Sequence, residues 1–259
     1  MLSSFITCPK SRVETLDFIR GIDIVLMVIF NYSVTLRYFG LINARPDPVY
    51  WTIFPVSIAS IFIFISGAAA FSSFQNNKEN FSKRYFKRGG KLLFFAAFIT
   101  LFTSVFLPGG TIYFGILHFF AFTSFLVPLF IRYDKLNLFS GLLIIYSGIY
   151  LQIKEFSFPY LFWLGFIPEN FSTFDYFPLL PWLGVLLLGI YSGKWIIETT
   201  AHMKFRSKLA SIFLFLGKNS LTIYLIHQPL LIFLLMVSGF RTFSASEPHP
   251  HSREQAFPV

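Results

Sequence analysis

The chain of 259 residues is 55% hydrophobic and 20% aromatic, and only 13% of its residues are charged. Soluble domains are about 45–50% apolar and about 25% charged, and even a domain of about 300 residues buries only about 75% of its chain surface. Soluble globular proteins and disordered chains are therefore excluded, and the excess apolar surface is expected to face lipid. The single cysteine, Cys8, excludes a disulfide framework or a cysteine-based metal site.

Seven stretches are apolar enough to be membrane helices, which need about 20 residues each. They lie at about 17–39, 51–73, 91–107, 111–131, 137–153, 178–197 and 219–239, and the third and fifth are short for full spans. The predicted fold class is an all-α polytopic membrane protein. Because no repeat or low-complexity linker appears, residues 1–240 are predicted to form a single transmembrane domain and 241–259 a polar, flexible C-terminal tail.

The basic residues predict how these spans are oriented. Sixteen of the 21 Lys and Arg residues fall in segments that are cytoplasmic if the N-terminus is inside, and five fall in the outer segments. Cytoplasmic loops carry such an excess, so the prediction is N-in, C-out. The net charge of +9 is read in this way as a topology signal, and nucleic acid is not expected as a partner.

The first span carries polar residues that hydrocarbon disfavours. Asp17, Arg20 and Asn31 fall within about 60° of one another on a helix with about 100° per residue. Each ionisable group inside a span costs about 2.5–3.5 kcal/mol or more, so it needs a partner or a purpose. Asp17 and Arg20, three residues apart, can pair. A structural ion pair with one interhelical hydrogen bond from Asn31 is the alternative to a functional site.

Two histidines lie within predicted spans, His118 in the fourth and His227 in the seventh. With a rise of about 1.5 Å per residue, Asn31 lies about 21 Å above the inner end of its span and His118 about 10 Å below the outer surface. In a core about 30 Å thick both are in the outer half, where they can act as general base and orienting donor. His227 lies only about 12 Å deep by the same estimate, so different neighbours are expected for it, near the level of Asp17 and Arg20.

A basic run precedes the third span. Lys83, Arg84, Lys87 and Arg88 have spacings of one, three and four and would gather on one side of a helix. The run is a topology determinant first, and phosphate binding is its second use. His249 and His251 lack the spacing of metal ligands, and no metal is expected.

Six stretches together resemble the catalytic domain of the heparan-α-glucosaminide N-acetyltransferase family, a branch of the transmembrane acyltransferases. They run in family order from residue 12 to about 235, and the joint match is specific although each piece alone is weak. The stretches are Arg12 to Gly21, Met27 to Tyr32, Phe62 to Gly67, Phe114 to His118, Phe177 to Gly184 and Leu216 to Pro229.

The resemblance implies transfer of acetyl from cytosolic acetyl-CoA to an amino sugar or related acceptor across the membrane. In the animal enzymes an Asn at the position of Asn31 is paired with a His in the following outer loop, but residues 40–47 contain no His here. Many prokaryotic relatives have His at the position of Asn31 and an acid at that of Thr35, and this chain has neither. These departures increase the weight on His118 as the base. Without the lumenal domain of the animal enzymes, the chain resembles a minimal prokaryotic member in a cell membrane.

The hypothesis that follows assigns His118, Asn31 and His227 to catalysis and assigns donor binding to the basic groups. The donor phosphates would be held by Arg20, which Asp17 would orient, or by the basic run Lys83, Arg84, Lys87 and Arg88. The expected partners are the bilayer, acetyl-CoA and a sugar-type acceptor, and a homo-oligomer is left open. Two alternatives remain: a transporter or flippase of a small or lipid-linked solute, and a non-catalytic member of the fold.

Overall fold

The computed structural model describes residues 13–38, 40–42, 47–106, 111–169, 171–200 and 202–237. Cys8 and the predicted tail 241–259 lie outside these residues. The described chain is mostly helical. Its elements are α1 (Glu14–Tyr38), a π-helical turn (Val49–Ile53) that leads into α2 (Phe54–Asn76), α3 (Phe81–Phe106), α4 (Ile116–Phe130), α5 (Asp134–Gln152), β1 (Glu155–Phe156), β2 (Ile167–Pro168), α6 (Leu179–Thr200), α7 (Lys208–Lys218) and α8 (Ser220–Val237).

Four helices of the described chain are long and apolar enough to cross a membrane. They comprise Glu14–Arg37, Val49–Asn76, Phe81–Val105 and Leu179–Thr200, and α7 with the first part of α8 makes a fifth if this pair, bent by 73°, is one span. Each of the seven predicted spans overlaps a helix. The prediction of a helical membrane protein is confirmed at this level, while the number of seven spans and the N-in, C-out orientation stay predictions.

Large apolar side chains on α3 and α5 are left uncovered by the other described residues. Phe94 is 70% exposed, Leu101 65%, Leu143 67% and Tyr146 74%. A monomeric soluble protein rarely exposes such a patch, whereas side chains of this kind are at home against lipid tails. The uncovered surface agrees with the composition argument.

Three local features differ from the sequence-based expectation. Helix α3 begins ten residues before the predicted third span, so the basic run is helical. Helix α7 was not expected; Ser207 caps it by accepting a hydrogen bond from the Ala210 amide at 3.1 Å. A short parallel ribbon, in which Glu155 pairs with Ile167 and Phe156 with Pro168, adds two strands to a chain that was predicted to be wholly helical.

The described chain forms two compact units. One comprises Ile63–Ala201, in which α3 packs on α4 and α5 on α6; the other comprises Glu14–Phe62 and the described residues from 202 on, in which α1 packs on α7 and α8. The boundary falls inside α2. The single-domain assignment to residues 1–240 stays a prediction.

Candidate active site

Helix α7 sets the position of α8 against α1 through two glycines. A side chain at Gly217 would collide with the main-chain carbonyl of Asp17, and one at Gly21 would collide with the carbonyl of Phe213. Only residues without a Cβ allow the two backbones to approach so closely. Phe18 adds to this contact by stacking on Phe205 at 4.3 Å between ring centroids.

From this contact α1 and α8 run in the same direction, and their polar side chains meet further along. Asn31 lies ten residues after Gly21, and His227 lies ten residues after Gly217. The side-chain nitrogen Nδ2 of Asn31 is 3.3 Å from Nε2 of His227. Two helix surfaces therefore bring an amide and an imidazole together within one compact unit.

The hydrogen bonds of His227 decide which ring nitrogen carries its proton. Nδ1 lies 2.8 Å from the carbonyl oxygen of Tyr224 and 3.2 Å from that of Ile223. A carbonyl only accepts, so Nδ1 is the protonated nitrogen, and Nε2 of the neutral ring keeps a lone pair. Asn31 donates to that lone pair. With its lone pair on the side that faces Asn31, Nε2 is the nitrogen that can accept a proton as a general base.

The contact corrects the expected surroundings of His227. The depth estimate started the seventh span level with the inner end of α1 and placed His227 well below Asn31. The structure instead starts α8 beside Gly21, because α7 packs across α1 before the chain turns. The two residues are therefore neighbours.

An aromatic cluster holds the second half of α1 in the same unit. The ring of Phe30 lies 5.9 Å from Tyr50 and 6.0 Å from Trp51, and the guanidinium of Arg37 lies 4.8 Å from the Trp51 centroid. Thr35 donates to the Asn31 carbonyl at 2.9 Å. His227 itself is buried, with the Tyr224 ring 5.6 Å away.

The first half of α1 buries two carboxyl groups. Asp17 is 2% exposed and Asp23 3%. Sequence reasoning assigned Asp17 to Arg20 but gave no role to Asp23, although Asp23 stands at the same spacing of three on the other side of Arg20. Both carboxylate oxygens of Asp23 are buried without a hydrogen bond among the described residues. The pairing of Asp17 with Arg20 stays a prediction.

His118 belongs to the other unit, and both of its ring nitrogens are engaged. The Gly115 amide donates to Nδ1 at 3.2 Å, so Nδ1 is the unprotonated nitrogen of the neutral ring. Nε2 is then the donor to Thr100 Oγ1 at 3.1 Å, and that hydroxyl donates to the Ile112 carbonyl at 2.7 Å. This network caps the start of α4 with His118, and the role of His118 as the base stays a prediction.

The same helix start is capped a second time. Asp175 accepts a hydrogen bond from the Ile116 amide at 3.0 Å through Oδ2. The first amides of a helix have no partner within the helix, and His118 and Asp175 satisfy two of the backbone donors here. Tyr176 follows, and its buried hydroxyl donates to the Phe162 carbonyl at 2.7 Å.

The basic run on α3 is split by the structure into different surroundings. Lys83 and Lys87 are exposed. Arg84 donates to the carbonyls of Ser73 and Asn77 at 3.2 and 3.3 Å, so it caps the end of α2. Arg88 alone turns inward, over the Tyr85 ring at 5.5 Å.

No group of three or more His, Cys, Asp or Glu side chains in the part of the chain that the structure describes could hold a metal ion. The expectation that the protein uses no metal stays a prediction.

Residues 12–229 match the family model of the catalytic region of heparan-alpha-glucosaminide N-acetyltransferase. The chain belongs to this family. Comparison with curated proteins and with solved structures gave no match. The family match covers His118, His227, Asn31 and the basic run. It confirms the resemblance drawn from the six sequence stretches. As a member of the heparan-alpha-glucosaminide N-acetyltransferase family with several membrane-length helices, the protein is an integral membrane acyltransferase.

Proposed function

We propose that the protein transfers an acetyl group from cytosolic acetyl-CoA to an amine or hydroxyl of a sugar-type acceptor at the outer face of a prokaryotic cell membrane. Family membership supports the reaction class. The observation that carries the proposal is the 3.3 Å contact between Asn31 and His227. It places a hydrogen-bond donor beside the unprotonated nitrogen of an imidazole, Nε2.

In the proposed reaction His227 moves the proton. The acceptor nitrogen or oxygen attacks the thioester carbon while Nε2 of His227 takes its proton. The tetrahedral intermediate then expels the thiolate of CoA, and the imidazolium returns the proton to that sulfur. The products are an acetylated acceptor and free CoA thiol, and His227 is neutral again.

Asn31 is proposed to serve the same reaction through its two amide hydrogens. One hydrogen bond to Nε2 holds the imidazole before substrates bind, and the acceptor takes that place when it enters. The amide N–H is then available to the thioester oxygen as negative charge develops on it. Removing one such donor costs about 10²–10³ in rate in other acyl transfers.

His227 is preferred to His118 as the base because of what their ring nitrogens contact. The lone pair of His118 Nδ1 accepts a hydrogen bond from the Gly115 amide. Losing that bond would leave the buried amide without an acceptor. The lone pair of His227 is used only by a side chain, which can turn away. In the proposed reaction His227 does the work of the histidine that the animal enzymes have in the outer loop and that residues 40–47 lack.

The test is an acetyl-transfer assay on the purified protein with labelled acetyl-CoA and an amino sugar. We expect His227→Ala to lower the transfer rate by about 10²–10⁴ while acetyl-CoA binding stays intact. His202→Ala is the matched control, since His202 is an exposed histidine of the same unit. Equal rates for His227→Ala and wild type would contradict the assignment of the base. Wild-type protein that transfers acetyl to no amine or hydroxyl would contradict the function.

A further inference from the structure

A small cavity lies inside the unit formed by 63–201. Its volume is about 10 Å³, room for about one oxygen-sized group. The residues that line it are Ser66, Ala70, Tyr85, Arg88, Phe120, Thr123, Ser124, Val127 and Leu186. Four of them carry hydroxyls, one carries a guanidinium, and none carries a carboxylate.

Arg88 supplies the charge of this cavity. Its guanidinium is half-buried, and its recorded contact within the described chain is the face of the Tyr85 ring at 5.5 Å. A guanidinium has five N–H donors, and neither a carboxylate nor a main-chain carbonyl takes them here. Arg84 is also an arginine and lies one helical turn before Arg88, but its guanidinium donates to two carbonyl acceptors.

The hydroxyls around Arg88 can turn toward a ligand at little cost. Thr123 donates to the Phe119 carbonyl at 2.8 Å and Ser124 to the Phe120 carbonyl at 2.6 Å. Those carbonyls belong to a helix, so they keep their backbone partners if the hydroxyls rotate. Together with the Tyr85 hydroxyl and the Arg88 guanidinium, these hydroxyls then offer O–H and N–H donors to a ligand in the cavity. An anion binds through hydrogen bonds from such donors.

The cavity lies near one end of this unit. Arg88 is seven residues into α3, about 10 Å from its start, and Ser124 is six residues before the end of α4, about 9 Å from it. Lys83 and Lys87 are exposed on α3 between its start and Arg88. A negatively charged ligand entering from this end would pass two lysines and then meet a guanidinium.

We infer that Arg88, with Ser66, Tyr85, Thr123 and Ser124, forms a phosphate-binding site that takes a phosphate group of the CoA donor. The inference rests on the proposed function. One phosphate oxygen fills the cavity, and the planar guanidinium binds the group at the mouth through paired hydrogen bonds. Of the four cations in the basic run, Arg88 alone has this role, while Arg84 is structural and the two lysines attract the ligand. A phospholipid headgroup offers the same chemistry and is the competing source.

The experiment compares binding of CoA and of pyrophosphate to the full chain in neutral detergent by calorimetry. Arg88→Gln is expected to weaken CoA binding about 10- to 100-fold, and Arg88→Lys is expected to recover only part of the loss because it keeps the charge without the fork. Lys135→Gln, which removes one positive charge from an exposed residue outside the basic run, is expected to change binding less than about threefold.

A second pair of variants tests the hydroxyls. Ser124→Ala is expected to weaken CoA binding, and Ser140→Ala is its control, because the Ser140 hydroxyl also donates to a helix carbonyl at 2.6 Å but belongs to α5 and does not line the cavity. Equal CoA binding by Arg88→Gln and Lys135→Gln would overturn the inference. A second result would also overturn it: the Arg88→Gln protein loses co-purifying anionic phospholipid, measured by mass spectrometry, while its CoA binding is unchanged. The site would then bind a lipid headgroup. Wild-type protein that binds pyrophosphate through Arg88 but transfers no acetyl group would support the phosphate site and contradict the proposed function.

Discussion

Asn31 and His227 are 196 residues apart in the chain, and their side chains lie 3.3 Å apart. The contact depends on α7, because that helix brings the start of α8 to the side of α1 at Gly21 and Gly217. The carbonyls of Tyr224 and Ile223 place the imidazole proton on Nδ1, and Asn31 donates to the lone pair of Nε2. We propose that this amide and this histidine carry out the acetyl transfer.

The glycine contact should control the position of His227. Gly217→Ala is expected to lower both stability and acetyl transfer, since its methyl group would collide with the Asp17 carbonyl. Gly90→Ala is the control: nothing lies within 4 Å of a side chain at that helical glycine, and the change should be neutral or stabilising by about 0.5–1 kcal/mol. Thermal unfolding and transfer rate are measured for both. A Gly217→Ala protein with wild-type stability would mean that the two backbones are not in contact.

His118 is expected to matter for stability and not for the chemical step. His118→Ala removes the partner of the buried Gly115 amide, which should cost about 1–3 kcal/mol. The transfer rate per folded molecule should stay near that of wild type, and Thr100→Val should show a milder loss of the same kind. A folded His118→Ala protein with transfer reduced more than about 100-fold would instead support the sequence-based assignment of His118 as the base.

Tyr176 gives a prediction for alkaline pH. Burial raises the pKa of its hydroxyl above the usual value, so its neutral form is favoured in the folded chain. The resulting stability is present below pH of about 10 and declines as the pH rises through the range where the unfolded tyrosine ionises. Tyr176→Phe should show less of this alkaline loss than wild type in unfolding curves, whereas Tyr160→Phe, at a residue that is 71% exposed, should not. Identical alkaline profiles for all three proteins would disagree with this account.

The orientation predicted from the basic residues can be tested by labelling. In a Cys8→Ser background, a cysteine replacing Lys78, which is exposed in the α2–α3 connection, should be protected from a membrane-impermeant maleimide in intact cells, because that connection is expected to be cytoplasmic. A cysteine replacing Glu169, which is exposed, should react. The reverse pattern would overturn N-in, C-out and would place the Arg88 cavity on the wrong side for a cytosolic donor.

The sequence was sufficient for the helical membrane class and for the family, but not for α7 or for the pairing of the site residues. Composition and span length predicted a helical membrane protein because the bilayer leaves a chain few other solutions. The pairing of Asn31 with His227 depends on the 73° bend between α7 and α8, and hydropathy carries no information about a bend. The depth estimate did not include this bend, so it placed His227 closer to the inner surface than Asn31.

Two structural roles had sequence signals that could have been used. A side chain at the third position of a helix often reaches back to the backbone at its start, and His118 stands three residues after Gly115, at the beginning of α4. Arginine near a helix end often binds the last carbonyls, which is what Arg84 does for α2. The burial of Asp23 had a weaker signal, its spacing of three from Arg20, and the structure was needed to find it.

The central claim is that Asn31 and His227 act together in acetyl transfer, and a double-mutant cycle on the transfer rate tests it most directly. Asn31→Ala and His227→Ala are measured singly and together at saturating acetyl-CoA. Because one residue orients the other, the double variant is expected to be little slower than His227→Ala alone. Losses that multiply, or a His227→Ala protein as fast as wild type, would contradict the claim.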